Sequence, residues 1–404
     1  MAAVFCCGFE CGLIGTSGEH WTATNAGTSI STSTVRSGAR SARINPAAST
    51  VGLLNTVFVA GRTLVGRIYI RFASLPSTDY RLITSTTSGA HSCGILFQNS
   101  DSKLYCYNAG TPTIGATGVT IAANIWYRID FKFLTTANPW TIDAQVDGAA
   151  LGQVSVAQAA LDMITITLGD NFNNRTADVF FDDHIHSITS GDYPLGAGYV
   201  HHFVPTADGT HNVAGTNDFE IGTGGTDILN ATTTAWQLVD DIPLQSGAIG
   251  TTDFINMVAP PNATDYVECI FGPAPGIPIP TAGPRVVEFI AGVASAGGAA
   301  NNMEIRLNDN GTMGTIYTQT GVTLTTSIVY KRAAFADPPS AASAWTAVAG
   351  NGNFNNARVR FGSPAVLDVT PDPYFACIMA EAEFSGVATS VKDMVGMGII
   401  PYRR

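Results

Sequence analysis

Asp182, His184 and His186 stand two residues apart in Val179–Ile188, VFFDDHIHSI. Side chains at alternate positions of a strand share a face, so one carboxylate and two imidazoles here can converge on a divalent metal ion. Phe180 and Ile188 fall in the same alternation, and the competing reading is a polar face turned to solvent or a neighbour. Asp183 falls on the other side, between Phe181 and Ile185. A carboxylate on an apolar stripe needs donors, which makes Asp183 an expected hydrogen-bond anchor. Bound Ca²⁺ is the alternative, with Asp170 as a further oxygen ligand. No other cofactor is expected. His201 and His202 are adjacent, so they face opposite ways and cannot chelate together.

Arg67, Tyr69 and Arg71 alternate on the outward side of Leu64–Phe72. Such a stripe suits another subunit or an acidic glycan, and otherwise reads as a solvated sheet face covered by loops. Tyr107, Trp140 and Phe172 are candidates to stack on sugar rings. Cys7 and Cys11 lack the second Cys or His pair of a zinc site. The seven cysteines therefore read as free thiols, or as inter-subunit bridges if the protein ends outside a cell.

The elements that must position these residues are strands. Residues 125–148, IWYRIDFKFLTTANPWTIDAQVDG, set Ile125, Tyr127, Ile129, Phe131 and Phe133 on one side and Trp126, Arg128, Asp130 and Lys132 on the other. Trp140, Ile142, Ala144 and Val146 repeat the alternation up to the Asp147-Gly148 turn. Two strands with one apolar face each require a covering sheet. Trp126, on the outer face, is the expected contact with a neighbour. Further strands are expected at Val4–Phe9, Ala39–Ile44, Leu64–Phe72, Tyr80–Ser85, Gly94–Gln98, Lys103–Asn108, Met163–Leu168 and Val179–Ile188, with a short helix at Val154–Leu161.

The run Gly191–Gly198, GDYPLGAG, reads as a Gly/Pro linker. Beyond it strands are expected at Tyr199–Val204, Trp236–Val239, Tyr266–Phe271, Arg285–Ala291, Met303–Leu307, Ile328–Ala334, Ala357–Phe361 and Tyr374–Phe384, the last turning Glu381 and Glu383 away from its apolar side. The sequence thus reads as all-β: a jelly-roll-like β-sandwich at 1–192, a second β-sandwich at 199–388, and a tail at 389–404.

Composition narrows the partners. Charged residues make up 13% of the 404, against about a quarter in typical globular proteins, while hydrophobic residues reach 45% and Gly numbers 42. The formal charge of −11 argues against nucleic acid or an anionic membrane as partner. No apolar run approaches the roughly 20 residues of a membrane helix. The N-terminal MAAVFCCGFECG lacks the form of a secretory signal, so folding in a cytosol is expected.

Phe9-Glu10, Ser37–Arg43, Trp126–Ile129, Asp147-Gly148 and Phe181–Ile185 occur in the order found in a concanavalin A/laminin-G-like jelly roll, which the first half resembles. The second half is similar to the region that follows such a jelly roll in tailed-bacteriophage virion proteins. Trp236–Asp240, Asp265–Glu268, Ala344–Thr346 and Arg360–Gly362 carry that resemblance. It implies a structural protein of the particle, on head or tail, packing against other virion proteins, with homo-trimers common by analogy. The alternative is a carbohydrate-binding module for a surface glycan. Lectin-like folds also serve glycosidases, which carry two carboxylates about 5–5.5 Å apart on a Glu-x-Asp-x-Glu strand. The nearest approach, Asp143 and Asp147, contains no Glu and ends in a turn. Nucleophile-elbow, phosphate-loop and zinc-protease motifs are absent as well, so the sequence reads as a non-enzyme.

Overall fold

The computed structural model describes residues 3–12, 14, 21–23, 27–46, 52–89, 91–108, 113–170, 177–214, 218–222, 225–240, 254–258, 264–273, 282–295, 300–309, 312–323, 327–340, 344–346, 354, 357–362 and 373–386. They fall into two compact units. One comprises the described residues up to Val200 together with Ser385 and Gly386; the other runs from His201 to Phe384. The tail at 389–404 and Phe172 lie outside the described residues. Strands dominate both units, and among the described residues no helix is long and apolar enough to cross a membrane.

The first unit is a β-sandwich of two antiparallel sheets. Its front sheet runs, edge to edge, through Ala149–Ala150, Trp140–Val146, Trp126–Leu134, Thr63–Ser74, Asp178–Ser187, Ser41–Ile44 and Thr28–Ser31. Ala3–Cys7 extends it beside Asp178–Ser187. The back sheet runs through Lys103–Asn108, Ser92–Gln98, Tyr80–Thr87, Met163–Asp170 and Gly52–Gly61. Register fixes the interior: Ile129, Phe131 and Phe133 lie opposite Val146, Ala144 and Ile142, and all six are buried. Phe72 meets Phe97 of the back sheet at 5.7 Å between ring centroids. Each large buried side chain contributes roughly 1.5–3 kcal/mol, so this core holds the sheets face to face. Ile125 breaks the expected alternation, being 49% exposed just outside the paired strand.

The second unit is built on one ten-stranded antiparallel sheet. From Val329–Phe335 it passes to Val286–Ser295, Pro373–Ser385, Gly198–Asp208, Tyr266–Pro273, Arg358–Gly362, Ala300–Asp309 and Thr312–Thr323. The two end strands approach each other, with Lys331 Nζ 4.9 Å from the centroid of the Tyr317 ring. The sheet therefore closes over its own apolar face, where Phe271 packs edge-on against Phe289.

Three expectations fail locally. Val154–Leu161 is a short strand, Val154–Val156, followed by irregular chain, because Thr141 and its neighbours offer a sheet edge that pairs with it. Trp236–Val239 forms a 3₁₀ turn, Ala235–Leu238, whose first N–H groups are capped by the Asp208 carboxylate. Glu381 and Glu383 have no exposed surface. Arg285 clamps Glu383, and Glu381 lies opposite Glu288, which is 3.6 Å from Arg332. These carboxylates belong to buried ion clusters, not to a solvated face.

Candidate functional site

The bulge at Asp183 decides the fate of the Asp182, His184 and His186 alternation. Asp183 has a left-handed backbone, φ 51°, and the pairing with Thr63–Ser74 slips between Asp182 and Ile185. One extra residue shifts the side-chain alternation by one place. Val179 and Phe181 point into the core before the bulge; His184 and His186 do so after it, opposite Cys7 and Phe5. Phe5 stacks on His186 at 4.8 Å, and Trp21 meets His184 edge-on at 5.5 Å. Asp182 is thus split from the histidines, and no cluster of three potential ligands forms among the described residues. His184 Nε2 and His186 Nδ1 are 3.2 Å apart and share one hydrogen bond. Burial, then the neighbouring His186 and Arg67, holds His184 well below the usual imidazole range; burial lowers His186 to about 3.

Asp182 and Asp183 are structural anchors. Asp182 accepts the Arg36 N–H at 2.8 Å, and Asp183 accepts Ser37 Oγ at 2.5 Å, Arg36 Nη1 at 2.5 Å and the Val200 N–H at 2.6 Å. Burial, then the charges of Asp183 and Glu10, pushes the Asp182 carboxyl well above its usual range. Glu10 is held in turn by the Ala39 N–H at 2.9 Å. Gly38, at φ 64°, is required there, since a Cβ would stand 1.9 Å from Glu10 Oε1. Asp170 serves the back sheet instead, accepting the Arg81 N–H at 2.9 Å.

The Gly/Pro run is laid along the outer side of the front sheet. Gly196 N–H donates to Asp130 at 2.9 Å, Gly198 N–H to Tyr69 Oη at 3.4 Å, and Gly198 O accepts Arg36 Nη1 at 2.8 Å. Arg67 and Tyr69 are buried as a result, Arg67 completely, with Arg36 lying 3.3 Å over the Tyr69 ring. They cannot serve as the expected contact stripe. Tyr107 and Trp140 are also buried, bonded to Thr84 and to Ala159 O, so neither is free to stack on a sugar. Among the described residues, Arg71 and Trp126 are the expected contacts that stay half-buried on this face, opposite each other in register. His201 and His202 are both buried. All seven cysteines are buried, and no disulfide joins any two of them among the described residues.

The site that sequence reasoning did not assemble lies on the outward face of the second unit. Three adjacent strands align in rows: Tyr266, Gly362 and Glu304; then Glu268, Arg360 and Arg306; then Arg358 beside Asn308. Gly362 contributes no side chain to the first row. A cleft of about 280 Å³ opens there, bounded by Tyr266, Glu304, Arg306, Arg360, Asn212 and Met313. Its charges are paired from within. Arg360 Nε donates to Glu268 at 2.5 Å and Arg306 Nη2 to Glu304 Oε1 at 2.5 Å. Burial alone would raise the Glu268 carboxyl, but hydrogen bonds from Arg360, Asn308 and the Thr210 N–H outweigh it and hold that carboxyl below its usual range. Glu304 Oε2 keeps no partner among the described residues, while the Arg306 side chain is 42% exposed. Adjacent acceptor and donor groups, held in place by these ion pairs, can bind hydroxyls. The available signal was the alternation of Tyr266-x-Glu268, Glu304-x-Arg306-x-Asn308 and Arg358-x-Arg360-x-Gly362 on three separate strands.

The fold and this cleft define a β-sandwich protein with a polar groove on a sheet face. No protein-family model matches the sequence, and no characterised protein matches it at the sequence level. Among solved structures the chain is similar to a sialidase, with 11% identity and a TM-score of 0.32 over 43% of this chain; it spans 17% of that chain's length. It is similar to domain 4 of AbnA, a GH43 extracellular arabinanase from Geobacillus stearothermophilus in complex with arabinotriose, with 11% identity and a TM-score of 0.34 over 46% of this chain and 92% of that one. It is also similar to the carbohydrate-binding module CBM66 from Bacillus subtilis, with 10% identity and a TM-score of 0.29 over 43% and 99%.

Proposed function

We propose that this protein is a non-catalytic carbohydrate-binding β-sandwich protein, and that the cleft over Gly362 receives a neutral sugar residue. The observation that carries the reading is the presence of two internal ion pairs at the cleft: Glu304 with Arg306, and Glu268 with Arg360. Side chains held in such ion pairs present fixed hydrogen-bonding atoms, which suits vicinal hydroxyls rather than an ion. Its volume lies just below the roughly 300–1,000 Å³ of small-ligand sites and fits a single residue of a glycan. Buried polar groups built to bond a hydroxyl discriminate strongly against ligands lacking one.

A glycan array probed with the full chain tests the reading, with Glu304→Ala as comparison. Binding of neutral glycans that Glu304→Ala weakens about tenfold or more is expected, the loss of a hydrogen bond to a charged group costing about 1.5–3 kcal/mol. An array without neutral ligands, or unaltered binding by the variant, overturns it.

The second reading keeps the protein as a structural part of a tailed-phage particle, packed against other virion proteins. Its support is the sequence resemblance of the second half, carried by residues such as Asp265–Glu268 and Arg360–Gly362. Two of those segments line the cleft, so a sugar-binding surface protein of a particle satisfies both readings. Stoichiometric copies in purified particles are the outcome this reading requires.

A further inference from the structure

One end of the first unit's front sheet, uncovered among the described residues, carries a single row of side chains across four strands. Trp126 lies opposite Arg71, Arg71 opposite Phe180, and Phe180 opposite Arg43. Aromatic and cationic groups therefore alternate. Both guanidinium groups lie over the Phe180 ring, Arg43 at 5.3 Å and Arg71 at 5.8 Å from its centroid, and Phe180 itself is only 5% exposed. Stacking of this kind fixes long side chains that otherwise lose much rotamer freedom on binding.

The two arginines differ in charge balance. Arg43 is clamped by Asp178 through two hydrogen bonds of 2.8 Å, so its charge is neutralised. Arg71 donates to the amide oxygen of Asn124 at 2.9 Å and meets no carboxylate among the described residues. It keeps a full positive charge and spare N–H donors. Beside it the Trp126 indole N–H has no partner among the described residues, and Trp126 is half-buried at the first position of its strand. One flat indole adjacent to one uncompensated guanidinium matches a ring that bears a carboxylate: the ring stacks, and the carboxylate takes the fork.

We infer that the row Trp126, Arg71, Phe180 and Arg43 is a second carbohydrate site, specific for an acidic sugar residue of the uronate type. It does not rest on the cleft in the second unit, whose paired charges suit a neutral residue. The two sites also differ in salt response, because only the acidic one depends on an unscreened charge pair.

Calorimetric titration of the full chain with a short oligouronate, and with a neutral oligomer of the same length, separates them. The oligouronate is expected to bind, weakening several-fold between low and high NaCl. Arg71→Gln and Trp126→Ala should each reduce its affinity at least fivefold with unchanged melting temperature, Arg71→Lys should restore part of it, and Glu304→Ala should leave it unaltered. Wild-type affinity in both Arg71→Gln and Trp126→Ala overturns the proposal. So does equal binding of polyglutamate, which would mark the row as a surface for acidic protein segments. Loss of neutral-oligomer binding in Glu304→Ala alone bears on the cleft and leaves this site standing.

Discussion

Arg360 lies over the ring of Tyr266, its guanidinium carbon 3.9 Å from the ring centroid. The same side chain is tied to Glu268 from below. A cation held by both a ring and a carboxylate cannot swing, so the cleft wall it forms is set before any ligand arrives. Tyr266→Ala removes the ring and frees Arg360. Affinity for a neutral sugar should then fall about tenfold, in line with roughly 1–2 kcal/mol for a cation–π contact and its surface. Calorimetry against wild type measures it; an unchanged affinity would show that the wall plays no part.

Glu268 gathers Arg358, Arg360, Asn308 and the Thr210 N–H on one carboxylate with no exposed side-chain surface. Glu268→Ala leaves cations without their counter-charge and should cost about 3–5 kcal/mol in urea unfolding. Because the folded carboxyl is held below its usual range, its contribution is complete above the unfolded value of 4.5. It is lost as pH falls through the folded value. Acid titration of stability should be flatter in Glu268→Gln than in wild type below that point.

The histidine pair predicts a second pH dependence, in a different window. His184 and His186 are neutral in the folded protein, whereas in the unfolded chain they bind protons below the ordinary value of 6.5. Their contribution should therefore be complete above pH 6.5 and decline as pH falls toward about 3, the folded value of His186. Urea midpoints between pH 7.5 and 4.5 follow this directly. A double replacement, His184→Gln with His186→Gln, should change the slope in that range by the histidines' contribution; a slope unchanged by it would place the cause elsewhere.

Much of the architecture was legible because strand alternation leaves a period-two record. Ile129, Phe131 and Phe133 could be read as a core face from their spacing, and they are one. The metal alternation failed for a reason invisible in that spacing. A bulge is a backbone event, and nothing in Asp182-Asp183-His184 announces that Asp183 takes a left-handed conformation. Burial of Arg67 and Tyr69 was hidden similarly, since a Gly/Pro run reads as a linker until it is seen bonded to Asp130 and Tyr69. The strand Thr312–Thr323, rich in Thr and Gly, carried no alternation to detect. The cleft was missed because its rows join strands from distant parts of the chain, such as Glu268 and Arg360.

Asp183 carries the attachment of the Gly/Pro run. Asp183→Ala removes the acceptor for Ser37 Oγ, Arg36 Nη1 and the Val200 N–H at once. Leaving Arg36 without its carboxylate should cost about 3–5 kcal/mol. Hydrogen exchange at Val200 should accelerate by more than tenfold relative to amides in Trp126–Leu134. Equal protection in the variant would mean that the run is held by other contacts.

A crystal structure of the full chain with its best-bound neutral oligosaccharide would show whether a sugar residue sits over Gly362. One sugar ring is expected above Gly362, between Tyr266 and Glu304, with a hydroxyl on Glu304 Oε2 and a neighbouring one on Arg306. An oligosaccharide bound elsewhere on the protein, with this cleft holding only solvent, would contradict it.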